Sequence, residues 1–292
     1  MSKGLWEPPR LRVSADNEEE RRATWLELFF DLIFVVAIAE LAHYLDGHVG
    51  LSGFFSFVAL FVPTWWCWLG STFYATRFDT DDLGHRLLTL LQMALVAALA
   101  VNVHHGLGES VVAVVKGVAQ KEWDVASVVA ALLGLSIAFS LWWIYFDSVD
   151  GSPLKSVKAG KIGIAMTWLY AHLPLAIGLA ATGVGVDQII ASQSGVLPIE
   201  ARWLFCGAVA LCLSVLALIH LITCTLGTTR RRKILSAYRL GAAIFILMLA
   251  AAGSGLSSLV LVALVAFACV LQVVLNLLFT RKAKTLTEEV GG

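Results

Sequence analysis

Residues 24–45 read TWLELFFDLIFVVAIAELAHYL, and this stretch decides the fold. It is mostly apolar and has about the 20 residues that an α-helix needs to cross the hydrocarbon core of a bilayer. Seven further windows of similar length and character follow it along the 292-residue chain. The eight windows are 24–45, 53–76, 86–106, 125–146, 162–182, 203–223, 234–252 and 257–280.

The composition is typical of a membrane protein. Apolar residues make up 59% of the chain and charged residues 14%, against roughly a quarter charged in soluble domains. The windows lack the polar and apolar alternation of a transmembrane barrel, so helices are the spanning structure. The sequence therefore predicts an all-α fold, a polytopic membrane helix bundle with about eight transmembrane helices.

The basic residues predict the orientation. With both termini in the cytoplasm, 17 of the 21 lysines and arginines fall in cytoplasmic segments, and only Lys116, Lys121 and Arg202 fall outside. The remaining one, Arg239, lies in the seventh window near its inner end, where its side chain is expected to snorkel toward the interface.

The ends of the apolar region give the domain organisation. We expect a cytoplasmic tail at 1–20, one transmembrane domain at 21–282 and a second cytoplasmic tail at 283–292. Residues 107–123 are too short to span and too apolar for a plain loop, so they predict an interfacial or re-entrant segment on the outer side.

Charge and cysteine content exclude several functions. The formal net charge is zero, so no nucleic-acid partner is indicated. The five cysteines lie in apolar runs without paired spacing, which argues against a disulfide framework or a zinc knuckle. We expect no cofactor and, since no nucleophile–base pair or metal motif appears, no enzymatic activity.

A series of motifs in a fixed order resembles a known family. ELFFDLIFV, at 27–35, is the most specific, and the others support it by their order. These are YATRFDTDD (74–82), RLLTLLQMALVAALAVNVHHG (86–106), LGESVVAVVKGV (107–118), LWWIYFD (141–147) and YAHLPLAIG (170–178). Over about residues 20–280 the chain resembles the bacterial low temperature requirement protein A (LtrA) family.

The resemblance implies a multi-pass protein of the bacterial cytoplasmic membrane that is linked to growth at low temperature, and it implies no reaction. The chain departs from the family at one place. Family members have several helices between the NVHHG-like and LGESVVAVV-like blocks, whereas Gly106 here runs directly into Leu107. We therefore expect a bundle shortened between these two residues.

Ionisable residues inside predicted spans are functional candidates, because a charge in the bilayer is costly unless paired or hydrated. Glu27 and Asp31 share one face of the first helix, and Arg77 ends the second helix on the same side. An ion pair that ties helices together and a cation or proton site both remain open. Asp79 begins an acidic loop that also contains Asp81 and Asp82, and solvated turn residues or a cation loop are the two interpretations.

His172 lies inside the fifth window, with Pro174 two residues later. Two roles remain open for it, a neutral histidine that hydrogen-bonds a neighbouring helix and a protonatable relay or substrate contact. Asp147 closes the aromatic stretch WWIYFD at the cytoplasmic interface. Gln272 and Asn276, four residues apart, are expected to hydrogen-bond a neighbouring helix. Trp65, Trp66 and Trp68 are expected to pack in the core around Pro63, and an aromatic lining for an organic substrate or cation is the other interpretation.

A polar set lies toward the outer side, comprising Glu40, His43, Asn102, His104, His105 and Glu109. Imidazole and carboxylate groups suit zinc, but no motif fixes their geometry, so a polar vestibule is favoured and no metal is predicted. His104 and Glu109 enter the set of pathway candidates.

Two functions follow from these residues. The first is a proton- or cation-conducting transporter or channel that uses Glu27, Asp31, Arg77, Asp79, His104, Glu109, Asp147 and His172. The second is a non-catalytic structural or sensory membrane protein linked to low-temperature growth. The expected partners are the lipid bilayer and, under the first hypothesis, a small cation or proton. A second copy of the chain is a further partner where a shortened bundle needs one to cover exposed polar faces.

Overall fold

The computed structural model describes residues 10–11, 25–79, 83–103, 125–148, 162–192, 195–223 and 229–290. This part of the chain contains eight α-helices: α1 (Trp25–Gly47), α2 (Leu51–Arg77), α3 (Leu83–Val103), α4 (Val125–Ser148), α5 (Ile162–Ala191), α6 (Ile199–Thr223), α7 (Thr229–Ala252) and α8 (Ser258–Val290). Two short strands, β1 (Arg10–Leu11) and β2 (Phe78–Asp79), pair antiparallel, with Arg10 opposite Asp79.

The helices confirm the predicted all-α membrane fold. Each overlaps one of the eight apolar windows, and seven of those described, all except α3, are long and apolar enough to cross a membrane. In α3, the apolar stretch found among the residues whose side chains the structure describes is Leu87–Ala98. Large apolar side chains such as Leu51, Val125 and Phe267 are 80%, 82% and 67% exposed, as expected where lipid replaces water.

Two helices extend well beyond their predicted windows. α5 continues to Ala191, nine residues past the window that ends at 182, and α8 continues to Val290. The windows were limited by the thickness of a bilayer, whereas a helix ends only where its backbone hydrogen bonds end. The predicted outer segment 107–123 lies outside the described residues.

Local capping fixes several helix ends. The hydroxyl oxygen of Ser257 accepts a hydrogen bond from the Val260 amide at 3.4 Å, so Ser257 is the N-cap of α8. The backbone amide of Gly253 donates to the Leu249 carbonyl at 2.9 Å and closes the end of α7. The turn before α6 is joined to the start of α8, where the Ser258 amide donates to the Gly195 carbonyl at 2.8 Å.

The chain forms two compact units, and the first contains α1, α2 and α3. α1 packs closely against α3 through a cluster that contains Phe30, Phe34 and Ala37 from α1 with Met93 and Val96 from α3. Trp68 of α2 packs against this cluster. Of its neighbours, Trp65 is buried as predicted, whereas Trp66 is 53% exposed, so the prediction that it packs in the core is wrong.

The second unit contains α4 to α8, and α6 is at its centre. α6 packs against α5 and α7 along their lengths, and α4 packs against α8. Close approach of α5 to α6 depends on small residues, as is common between membrane helices. A Cβ atom added at Gly178 would lie 2.7 Å from Cys212 Sγ, and one at Gly185 would lie 2.7 Å from Phe205 Cβ.

Arg239 corrects the prediction of a snorkelling side chain. It is 2% exposed, and its Nη1 atom donates a hydrogen bond to the Leu216 carbonyl of α6 at 3.1 Å. One turn earlier on α7, the Ser236 hydroxyl donates to the Ala217 carbonyl at 3.2 Å. The guanidinium therefore points into the second unit rather than toward lipid headgroups.

Candidate functional site

In the first unit, the carboxylate of Asp31 is held by a tryptophan. Asp31 lies six residues after the start of α1, about 9 Å along the helix. Its Oδ1 atom accepts a hydrogen bond from Trp68 Nε1 of α2 at 2.9 Å, and the side chain is otherwise exposed. An exposed carboxylate at this depth is costly in lipid, so it requires water or a polar partner at that face.

A second polar contact ties α2 to α3 in the same unit. The Ser71 hydroxyl donates to Gln92 Oε1 at 2.9 Å, and Gln92 Nε2 donates to the Cys67 carbonyl at 3.2 Å. Ser71 lies about 9 Å along the axis from the end of α2 at Arg77, and Gln92 lies about 14 Å from the start of α3 at Leu83. Two hydrogen-bonded polar groups therefore lie toward the predicted cytoplasmic ends of these three helices.

In the second unit, His172 forms a hydrogen-bonded chain with residues of α4 and α5. Its Nδ1 atom lies 2.7 Å from the Trp168 carbonyl oxygen, and its Nε2 atom lies 3.0 Å from the Tyr145 hydroxyl. The Trp168 and His172 rings are 4.6 Å apart in an edge-on arrangement. A backbone carbonyl only accepts, so Nδ1 carries a hydrogen, and in the neutral ring Nε2 accepts from Tyr145.

Protonation would reverse one of these bonds without moving the ring. With a proton on Nε2, the imidazolium donates to the Tyr145 oxygen, and the Tyr145 hydrogen turns to another acceptor. The Trp168 carbonyl cannot take up a proton, so the imidazole gains and loses its second proton at the Nε2 atom. Passing a proton from one side of the ring to the other therefore requires the imidazole to rotate.

Asp147 contacts α8 close to the end of α4. The Asn276 amide Nδ2 donates a short hydrogen bond to Asp147 Oδ2, and Asn276 is 2% exposed while Asp147 is exposed. This confirms the prediction that Asn276 hydrogen-bonds a neighbouring helix. Gln272, one turn earlier on the same helix, is also buried.

Two buried arginines are the main residues that sequence reasoning misjudged. Arg202 is 5% exposed, and its Nε atom donates to the Ala250 carbonyl at 2.9 Å, near the end of α7. A cation near a helix C-terminus is favourable because the last carbonyls carry partial negative charge. Arg239 has a similar carbonyl partner on α6. A signal was available, because both arginines fall at the edge of, or inside, an apolar window.

Of the other pathway candidates, the structure describes the side chain of Glu27 alone. Glu27 is half-buried in the first turn of α1. Arg77 ends α2 and Asp79 lies in β2, and their side chains lie outside the described set. His104 and Glu109 lie outside the described residues altogether. Among the residues that are described, no group of three or more histidine, cysteine and acidic side chains is placed to hold a metal ion.

Comparison with known proteins places the chain in a family. The sequence model of the bacterial low temperature requirement A protein (LtrA) matches residues 22–106 and residues 106–277, which include parts of all eight helices described above. The chain belongs to the LtrA family. The two matched segments meet at Gly106, where the sequence predicts a shortened LtrA bundle.

A curated relative gives no further function. An uncharacterised protein of Rhizobium meliloti (strain 1021) is 33% identical over 87 residues, which cover 29% of this chain and 21% of that protein. The chain thus matches about a fifth of the relative's length. No solved structure matches the chain. This LtrA family member is a multi-pass membrane protein whose apolar helices contact the lipid bilayer.

Proposed function

We propose that this protein conducts protons or small cations across the bacterial cytoplasmic membrane, as a transporter or channel without enzymatic activity. The observation that carries the proposal is the chain from Tyr145 through His172 to the Trp168 carbonyl. Histidine is suited to the task because its unperturbed charge change falls between pH 5 and 8. An ionisable group inside a span is by default a functional candidate.

The mechanism proposed for His172 follows from its two bonds. A proton reaches Nε2 from the Tyr145 side, and the ring becomes an imidazolium that still donates through Nδ1 to the Trp168 carbonyl. The ring then rotates, which breaks both bonds, and releases the proton on the opposite side. The half-burial of His172 supports this step, because a ring packed on all sides turns less readily.

Each unit, taken by itself, also contains carboxylates among the residues of the proposal. Asp31 in the first unit and Asp147 in the second are exposed side chains that accept hydrogen bonds from Trp68 and Asn276 respectively. Glu27 lies one turn before Asp31 on α1. Arg77, Asp79, His104 and Glu109 belong to the proposal on the evidence of the sequence.

The test is proton flux into proteoliposomes that contain the purified full-length chain. A potassium gradient with valinomycin imposes the membrane potential, and a trapped dye reports internal pH. We expect wild-type flux above that of protein-free liposomes, near-background flux for His172→Gln, and reduced flux for Tyr145→Phe, which removes the donor to Nε2. Asp31→Asn is expected to abolish flux as well.

The matched control is Tyr170→Phe, which removes a hydroxyl from an exposed tyrosine on the same helix as His172. It is expected to conduct like the wild type. Normal flux in His172→Gln would refute the role of the histidine, and a folded, monodisperse wild type without flux of protons, sodium or potassium would refute conduction itself.

A structural or sensory role is the second candidate, and one observation favours it. Each of the three bonds at Asp31, Asp147 and His172 joins two different helices, as expected of ties that hold a bundle together. Under this hypothesis the same substitutions lower the stability of the protein in detergent, and no variant, including the wild type, conducts.

A further inference from the structure

A buried carboxyl group in the first unit plays no part in the proposed route. Glu40 lies on α1, seven residues before the end of the helix at Gly47, which is about 10 Å along the axis. It falls inside the membrane span Leu26–Gly47. The residue is 9% exposed, whereas Glu27 on the same helix is half-buried and Asp31 is exposed.

The surroundings of Glu40 on α1 are apolar. It belongs to the buried face of the helix, with Ala37 one turn before it and Leu41 and Leu45 after it, which are 1%, 0% and 0% exposed. The other ionisable residues within one turn are His43, which is exposed, and Tyr44, which is half-buried. On α2 the described side chains include Cys67 and Tyr74 as titratable groups, both toward the far end of the helix, and those of α3 from 87 to 98 include none.

The carboxyl of Glu40 has an oxygen without a partner in the described part of the chain. Its Oε2 atom is buried and accepts no hydrogen bond there. An ionised carboxylate with one oxygen in this state is disfavoured inside a bilayer, because neither water nor a donor reaches that oxygen. A neutral carboxylic acid avoids that penalty and brings its own hydrogen-bond donor.

We propose that Glu40 is a proton-binding carboxyl group inside the membrane, and that it is the site in the first unit that hydrophobic carbodiimides modify. The reaction needs the acid form. The hydroxyl proton moves to a carbodiimide nitrogen and the carboxyl oxygen adds to the central carbon. The acyl group then migrates to nitrogen, so a stable N-acylurea forms and no group leaves. The proposal does not depend on proton transport, because its readout is a covalent label.

The experiment uses wild-type protein in liposomes with two reagents. Dicyclohexylcarbodiimide partitions into lipid, whereas a water-soluble carbodiimide with an added amine reaches carboxylates from water. Peptide mass spectrometry then locates each label. Glu200, which is exposed in the first turn of α6, is the internal reference. We expect the ratio of hydrophobic to water-soluble labelling to be about tenfold or more higher at Glu40 than at Glu200.

Two results would overturn the proposal. One is labelling of Glu40 by the water-soluble reagent to the same extent as Glu200, which would mean an ionised, hydrated carboxylate. The other is an unmodified Glu40 at dicyclohexylcarbodiimide concentrations that label the same residue in SDS-denatured protein. Both results come from the wild type, so the test does not depend on the folding of a variant.

A variant adds an independent spectroscopic check. Glu40→Gln keeps the size of the side chain and removes the ionisable proton, so the infrared carbonyl band of a neutral carboxylic acid should disappear from the spectrum. Glu200→Gln, the matched exposed control, should leave that band unchanged. A band of equal intensity in both variants would assign the neutral acid to another residue and contradict the proposal.

Discussion

Replacing Gly185 with alanine tests how closely α5 and α6 must pack. The added Cβ would lie 2.7 Å from Phe205 Cβ, 2.8 Å from Cδ2 and 2.9 Å from Cα. Ordinary contacts of this kind begin at 3.4 Å, so the Phe205 Cα must retreat by about 0.5 Å. Because that atom belongs to the backbone, rotation of the phenylalanine ring cannot relieve the clash, and α6 itself has to move.

The expected magnitude comes from comparison with a neighbouring glycine. Overpacking of this kind costs about 1–3 kcal/mol, while replacing glycine by alanine inside a helix gains about 1 kcal/mol. Gly183 lies two residues earlier on α5, is exposed, and would place a new Cβ with nothing within 4 Å. Gly183→Ala should gain the helix-propensity stabilisation without any overpacking cost. Gly185→Ala should gain the same stabilisation but incur the overpacking cost, so the two variants should differ by about 1–3 kcal/mol in free energy of unfolding.

The assay is reversible unfolding of each purified variant in mixed micelles of SDS and a non-ionic detergent, followed by tryptophan fluorescence and circular dichroism. Gly183→Ala should be at least as stable as the wild type, and Gly185→Ala should unfold at a lower SDS fraction than Gly183→Ala. Two variants of equal stability would refute the close α5–α6 contact at Phe205.

Two further predictions use the same assay. Gly178→Ala should be less stable than Gly183→Ala by about 1–3 kcal/mol because the new Cβ would lie 2.7 Å from Cys212 Sγ, and adding Cys212→Ala should restore part of that loss, so a double variant no better than the single one would contradict the contact. Asp31→Ala and Trp68→Phe, which remove the acceptor and the donor of one hydrogen bond, should be coupled by about 0.5–2 kcal/mol in a double-mutant cycle, and additive effects would show that the bond contributes nothing to stability.

The sequence was sufficient to predict the helices because their signal is local. Each apolar window contains in its own residues the length and hydropathy of a span, and each overlaps one helix. The close packing at Gly178 and Gly185 could also be predicted from the sequence. The two glycines are seven residues apart and so lie on one face of α5, with Ala181 and Thr182 between them on the same face.

The partners of the site residues could not be predicted in this way. The bonds of Asp31, His172 and Asp147 join residues that are 37, 27 and 129 positions apart in the chain. Which residues meet depends on how each helix is rotated about its axis, and a helix that is apolar on all sides does not reveal its rotation. The same lack of a polar face led to the wrong prediction for Arg239.

The shortening of the bundle that the sequence predicts at Gly106 bears on whether the proposed site in the second unit is complete. The two segments that match the LtrA family meet at Gly106, after α3 and before α4, and so between the helices of the first unit and those of the second. The contacts that orient His172 come from Tyr145 on α4 and Trp168 on α5, and Asp147 is held by Asn276 on α8. These bonds are made among helices that all follow Gly106. The described bonds of His172 and Asp147 therefore involve no residue before Gly106, and the His172→Gln flux test applies to this chain whether or not the predicted shortening is correct.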